Sequence, residues 1–181
     1  HEAIQRALGL ARRNLEEARR SVMDLRAAPL QDHTLPEALA ALAFGESGPS
    51  IIQKVQGSAE GSPIVQYGYA PTHNFPALPA RIEVGLYRIA QEALTNARTH
   101  ANARQIEMTL TADEQYVELV VQDDGCGFDP DAVAQTSGST HFGLTGMAER
   151  VKMLGGSICI ESTPGAGTCI DVSVPYKEKS A

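Results

Sequence analysis

Apolar residues recur along the chain with two periods, one near 3.5 and one of 2, and the changeovers between them mark out the elements. From the amino end they run Ile4, Leu8, Ala11, Leu15, Ala18, Val22 and Leu25, in steps of four and three flanked by Glu and Arg. Such a seam, held for about three heptads, predicts one long helix of a coiled coil or bundle over residues 1–28. Thr34-Leu-Pro-Glu37 then has capping-box spacing ahead of Leu35, Leu39 and Leu42, and Gly45 follows as a stop, so a short helix is expected between them. Residues 45–80 are rich in Gly, Ser and Pro. They hold two strand-like segments, Ser50 to Val55 and Ile64 to Tyr69, expected to pair as a hairpin about a loose turn at Gly57 to Ser62.

Helical spacing returns from Pro79 to Thr99, with Ile82, Leu86, Ile89, Ala93 and Ala97 on the core face. Strict alternation follows in Ile106, Met108 and Leu110 and again in Val117, Leu119 and Val121, joined by a polar turn at Ala112 to Gln115. Leu144, Met147, Val151 and Leu154 mark a further helix that ends at Gly155-Gly156. Two last strands, Ile158/Ile160 and Ile170/Val172/Val174, flank the turn Pro164-Gly-Ala-Gly167. The class is therefore α/β: a two-layer sandwich of a mixed β-sheet with helices on one face, preceded by one long bundle helix. The chain divides into residues 1–28 and 29–181.

Composition narrows the function classes. With 181 residues, 43% of them apolar and 20% charged, the chain can bury one domain plus an accessory element. It holds no run of 18 apolar residues and no signal-peptide pattern, so a cytoplasmic piece without membrane contact is expected. A net charge of −7 and a pI near 5.2 argue against a nucleic-acid surface, which needs clustered Lys and Arg. Cys126, Cys159 and Cys169 are odd in number and lack C-x-x-C spacing, which disfavours both a disulfide framework and a zinc site.

Glu92, Asn96 and His100 stand at i, i+4 and i+8 of the long helix, and because each four-residue step drifts by only about 40° they form one ridge. Asp123 follows an alternating strand and is succeeded by Gly125 and Gly127. A carboxylate there can accept from an exocyclic amine while the glycines admit a ligand close to the backbone, although the same five residues also read as any tight turn. Asp124 reads as solvated or capping, and Cys126 as a small turn residue. Gly143 and Gly146 open the next helix, where free amides suit phosphate; equally, they permit a turn and close packing. Gly165, Gly167 and Thr168 bound a hairpin.

This order of motifs, a Glu/Asn helix, Asp-x-Gly-x-Gly at 123–127, Gly-Leu-Thr-Gly-Met at 143–147 and Gly-Ala-Gly-Thr at 165–168, resembles the ATP-binding domain of sensor histidine kinases and of their relatives among the gyrases, Hsp90 chaperones and mismatch-repair ATPases. The wording Tyr-Arg-Ile-Ala-Gln-Glu-Ala-Leu-Thr-Asn-Ala at 87–97 and Gly-Leu-Thr-Gly-Met-Ala-Glu-Arg-Val at 143–151 is similar to the nitrate-sensor-type histidine kinases. The resemblance covers roughly residues 1–175. It implies the Bergerat fold and the cofactors ATP and Mg²⁺. Asp123 would meet the adenine amine, Asn96 would offer Mg²⁺ a neutral oxygen ligand, and Gly143, Gly146, His100 and Thr168 would touch the nucleotide. The polar stretch from Asp129 to Phe142 would order over it as a lid. Glu92 corresponds to the water-activating base of the ATPases; in histidine kinases its counterpart is associated with Mg²⁺ or with polarising the acceptor histidine.

In that family two antiparallel helices per subunit dimerise, and the first carries the phosphoacceptor within a His-Asp-x-x-x-Gln pattern. None of His1, His33, His73, His100 and His141 lies in such a context. The resemblance thus implies a second bundle helix plus the catalytic domain of a homodimeric kinase. Its γ-phosphoryl group would pass to a histidine outside this chain and onward to a response regulator. A water-directed ATPase with Glu92 as base, or a nucleotide-gated interaction module, is the alternative. One departure stands out. The family commonly places Lys or Arg just before the histidine of the first box, and here that residue is Thr99, with Arg98 about 100° away around the helix and Arg88 or Arg104 as possible substitutes.

Overall fold

A computed structural model describes residues 28–44, 63–70, 75–130, 132 and 140–177. The seam at 4–25, the strand expected at Ser50 to Val55 with its turn, and most of the Asp129 to Phe142 stretch lie outside them. After a single 3-10 turn at Ala28–Leu30 come α1 (Leu35–Phe44), β1 (Ile64–Ala70), α2 (Ala80–Thr99), β2 (Gln105–Ala112), β3 (Tyr116–Asp123), α3 (Thr140–Met153), β4 (Ser157–Ser162) and β5 (Thr168–Pro175).

The start of α1 forms as its spacing predicts. Glu37 reaches back so that its carboxylate accepts from both the amide and the hydroxyl of Thr34, each at 2.8 Å. This satisfies a donor that the first helical turn cannot. The same bonds hold the Glu37 carboxyl below its ordinary range, the Thr34 amide contributing most.

The sheet has the order β1-β2-β3-β5-β4. The pairs β2–β3, β3–β5 and β5–β4 are antiparallel, and β1 pairs with β2 in parallel, Ile64 opposite Gln105. The hairpin expected between Ser50 to Val55 and this segment involves residues outside the described ones; the described pairing of β1 is with β2, and α2 returns the chain from β1 to start β2 in the same direction. This crossover decides where the site lies. It brings the carboxyl end of α2 to the end of the sheet where β2 and β5 begin and β3 and β4 finish.

Period-2 alternation sorts the side chains. Ile106, Met108, Leu110, Val117, Leu119, Val121, Ile170, Val172 and Val174 are buried on one face, while Glu107, Glu118, Gln122 and Asp171 on the other are exposed. The buried rows meet α1, α2 and α3 in a single core. Beyond the expected stripe, α2 also buries Val84, Tyr87, Ala90 and Leu94, because it touches both the sheet and the flanking helices. Gly85 makes this packing possible: a side chain there would run into Leu154, which follows α3. Among the described residues no helix is long and apolar enough to cross a membrane.

Candidate functional site

At the end of the sheet, the apolar rows give way to polar side chains. Asp123 faces Ile106 on one side and Thr168 on the other, and Thr168 faces Ser162. These inward positions continue the alternation of Val121, Ile170 and Ile160, so the strand period itself delivers a carboxylate and two hydroxyls to the rim of the core. Asp123 is 9% exposed and is the one buried charged side chain among the described residues. Its Oδ1 accepts from the Gly125 amide at 2.8 Å, and the Thr168 amide also donates to the carboxylate. Burial nonetheless dominates and pushes its pKa up, against the lowering effect of those two amides.

A cleft opens beside this row. Asp123, Thr168 and Phe128 line it from the strand side, and Asn96, His100 and the small Ala93 and Ala97 line it from α2. Alanines at 93 and 97 leave room where larger side chains would fill the groove, one helical turn apart on the face that carries Asn96 and His100. The carbonyl of Asn96 accepts from the amides of His100 and Ala101 at 2.8 and 3.3 Å, which ends the helix at the mouth of the cleft.

Two glycine-containing loops, some forty residues apart in sequence, interlock beside it. Gly165 donates to the Cys126 carbonyl at 2.7 Å, and Cys126 donates to the Ala101 carbonyl at 2.7 Å. Gly127 has φ +56° and Gly167 φ +81°. A Cβ at Gly127 would strike the carbonyls of Thr163 and Gly167, and one at Gly167 would strike the carbonyl of Asp123. Gly125 is buried against the backbone of Ala101. These three positions are thus glycine because the protein's own backbone passes there, a different reason from ligand approach. Gly125 does not line the cleft, whereas Gly127 does.

Glu92 lies one turn up α2, outside the cleft lining, and its carboxylate abuts Gly143 of α3: a Cβ on Gly143 would collide with Glu92 Oε1 and lie 3.6 Å from Asn96 Nδ2. The second glycine box differs from its expected position. The helix starts at Thr140, so Gly143 and Gly146 fall inside α3, and the free amides of its first turn belong to residues before Gly143. A Cβ on Gly146 would meet nothing within 4 Å. The lining also includes Phe128, which the sequence does not point to, and Leu144, Ile170 and the exposed Cys126, which it places only as helix, strand and turn residues. Only the spacing of Ala93 and Ala97 alongside Asn96 and His100 hinted at a groove.

Two of the basic residues near the first box, Arg98 and Arg88, make bonds elsewhere. Arg98 donates to the Leu42 and Ala43 carbonyls at 3.4 and 2.9 Å, closing the end of α1, and Arg88 donates to Gln91 Oε1 at 2.9 Å. Asp124 caps: its Oδ1 accepts from the amides of Arg104 and Gln105 at 2.7 and 2.8 Å, which, with the Gln105 amide foremost, hold its pKa low. No group of three or more His, Cys, Asp or Glu suited to a metal occurs among the described residues. Asn96, which lines the cleft, is a residue there whose side-chain amide could offer a divalent cation an oxygen.

Comparison with known proteins agrees with this geometry. Residues 81–178 match the family described as histidine kinase-, DNA gyrase B- and HSP90-like ATPase. The chain is 39% identical over 97 residues to the signal transduction histidine-protein kinase/phosphatase DegS of Brevibacillus brevis, covering 54% of this chain and 24% of that protein. It is 40% identical over 101 residues to the signal transduction histidine-protein kinase/phosphatase UhpB of Salmonella typhimurium, covering 56% and 19%. The chain thus spans about a quarter or less of the length of these relatives. In fold it resembles the histidine kinase domain of the blue-light activated histidine kinase of Erythrobacter litoralis EL346, with a TM-score of 0.56 at 17% identity over 78% of this chain and 59% of that one. From the motif order, the cleft built on Asp123 and α2, and a family match over more than half its length, the chain belongs to the histidine kinase-, DNA gyrase B- and HSP90-like ATPase family.

Proposed function

We propose that this chain is the ATP-binding catalytic portion of a two-component sensor histidine kinase. The observation that carries the reading is Asp123: a buried carboxylate, held by two backbone amides, at the floor of a mostly apolar cleft. Such a group suits the exocyclic amine of adenine, and the apolar walls suit its ring faces. Asn96, across the cleft on α2, would hold Mg²⁺, which would neutralise phosphate charge, and His100 and Thr168, which also line the cleft, would contact the nucleotide. Glu92, one turn from Asn96 and against Gly143 of α3, would act as the positioning or basic group for the reacting phosphate. Gly125, Gly127 and Gly146 act through the shape of their loops and helix.

Phosphoryl transfer needs positioning and charge neutralisation more than a protein nucleophile; here the side chains lining the cleft would position the nucleotide, and a bound Mg²⁺ would supply the neutralising charge. The γ-phosphoryl group passes to a histidine on a helix outside this chain, in a homodimer whose second bundle helix is residues 1–28, and from there to a response regulator. Residues 29–181 form the catalytic domain. The test is titration with Mg²⁺-ATP and Mg²⁺-GTP, followed by incubation with γ-labelled ATP with and without a separate acceptor-helix domain. Adenine-selective binding, no acid-labile label on the chain alone and label on the added acceptor are expected. Steady phosphate release without an acceptor would instead identify a water-directed ATPase, and binding with no transfer to any acceptor a nucleotide-gated module.

A further inference from the structure

Ser162 does not line the cleft, yet three hydrogen bonds converge on its hydroxyl. The Phe128 amide donates to Ser162 Oγ at 2.9 Å, Ser162 Oγ donates to the Gly167 carbonyl at 3.0 Å, and Thr168 Oγ1 lies 3.0 Å away. A serine hydroxyl has one proton to give and two lone pairs to accept with. Its proton is committed to Gly167 and one lone pair to Phe128, so the remaining bond must be donated by Thr168. The proton of the Thr168 hydroxyl therefore points back into the sheet, toward β4, and its oxygen is left to the cleft as an acceptor only. Beside it stands Asp123, whose carboxylate is likewise an acceptor when ionised.

Resting on the nucleotide reading above, we propose that Ser162 is a specificity-determining positioning residue: by taking the Thr168 hydroxyl proton it keeps the floor of the cleft acceptor-only, selecting a base with an exocyclic amine over one with a carbonyl. Two N–H donors of a 6-amino purine would find two acceptors. A 6-oxo purine would set its oxygen against both, with no hydroxyl free to turn and donate. Sites that leave such a polar group mispaired discriminate strongly. The strand register maintains the arrangement, since Ser162, Thr168 and Asp123 are direct cross-strand neighbours. No ligand-facing chemistry on Ser162 is needed.

The test compares binding of ATP and inosine triphosphate to the whole chain and to Ser162→Ala and Ser162→Thr. The unaltered protein should prefer ATP by roughly tenfold or more. Ser162→Ala frees the Thr168 hydroxyl to rotate, so ATP binding should weaken, inosine triphosphate binding should strengthen, and the preference should collapse by about tenfold. Ser162→Thr, which keeps the hydroxyl, should retain the preference. Equal weakening toward both nucleotides in Ser162→Ala, or loss of the preference in Ser162→Thr, would overturn the proposal by showing a merely structural role. Equal affinity of the unaltered protein for both nucleotides would overturn it together with the adenine-amine role of Asp123, while leaving nucleotide binding by the cleft intact. Binding of neither would end both.

Discussion

The guanidinium of Arg98 donates to the carbonyl oxygen of Ala43 at 2.9 Å, tying the carboxyl end of α2 to that of α1. A cation at a helix carboxyl end satisfies carbonyls that the last turn leaves open and is favoured by the helix dipole. Replacing Arg98 by Ala should lower stability by about 1 kcal/mol, a melting shift of roughly 2–4 °C. ATP affinity should not change, because the side chain faces α1. Weaker ATP binding with an unchanged melting temperature would show instead that Arg98 stands in for the basic residue that Thr99 replaces.

Asp123→Asn separates binding from stability. The substitution keeps an oxygen for the Gly125 and Thr168 amides but offers an adenine amine a weaker, neutral partner, so ATP affinity should fall roughly tenfold or more. Stability should move the other way. Burial raises the folded-state pKa of Asp123 above its unfolded value, so its contribution is fully present below the ordinary carboxylate value of 3.8 and is lost as pH rises through the higher folded value. At neutral pH the ionised group is a liability that Asn lacks. Thermal melts at pH 7 should show the variant at least as stable as the parent, and a large drop in melting temperature would contradict the burial assigned to Asp123.

For Asn96 the measurement is the dependence of ATP binding on magnesium. Asn96→Ala keeps a good helix former in α2 and removes only the amide. The gain in ATP affinity on adding Mg²⁺ over a chelator should shrink in the variant. A gain equal to that of the parent means that Asn96 is not a metal ligand.

Gly125 and Gly146 should respond oppositely to alanine. A Cβ at Gly125 would overlap the carbonyl of Ala101, and neither backbone can yield, so Gly125→Ala should cost about 2 kcal/mol or more. Gly146 sits inside α3 with open space around it, and Gly146→Ala should stabilise the helix by roughly 0.5–1 kcal/mol. Chemical denaturation of the two variants decides both. Comparable destabilisation by each would mean that α3 seats its glycines against something beyond the described residues.

Much of this was legible in the chain because each element announces itself locally. Met108 and Leu110, Leu119 and Val121, and Val172 and Val174 alternate without interruption, and Thr34 and Glu37 name the start of α1; these signals need no partner to be read. The ridge of Glu92, Asn96 and His100 follows from helical geometry alone. What depended on distant contacts was not legible. The parallel pairing of Ile64 with Gln105 across α2 joins segments that no local periodicity can match to each other. The interlock of Gly127 with Gly167 joins loops whose sequences separately specify only turns. Ser162, an ordinary strand-end serine, acquires meaning only from the cross-strand register that puts it behind Thr168.

Because the crossover directs α2 with its carboxyl end toward the cleft, the aligned peptide dipoles of twenty residues present their negative pole there, equivalent to about half an elementary charge. The fixed field at the mouth of the cleft therefore repels anions, and the buried carboxylate of Asp123 adds to it. On the proposed reading, a triphosphate would be favoured when it arrives with its charge already compensated. On this ground the divalent ion would act as an admission ticket rather than a late recruit. Apparent affinity would then follow the concentration of the metal–nucleotide complex and not that of free nucleotide.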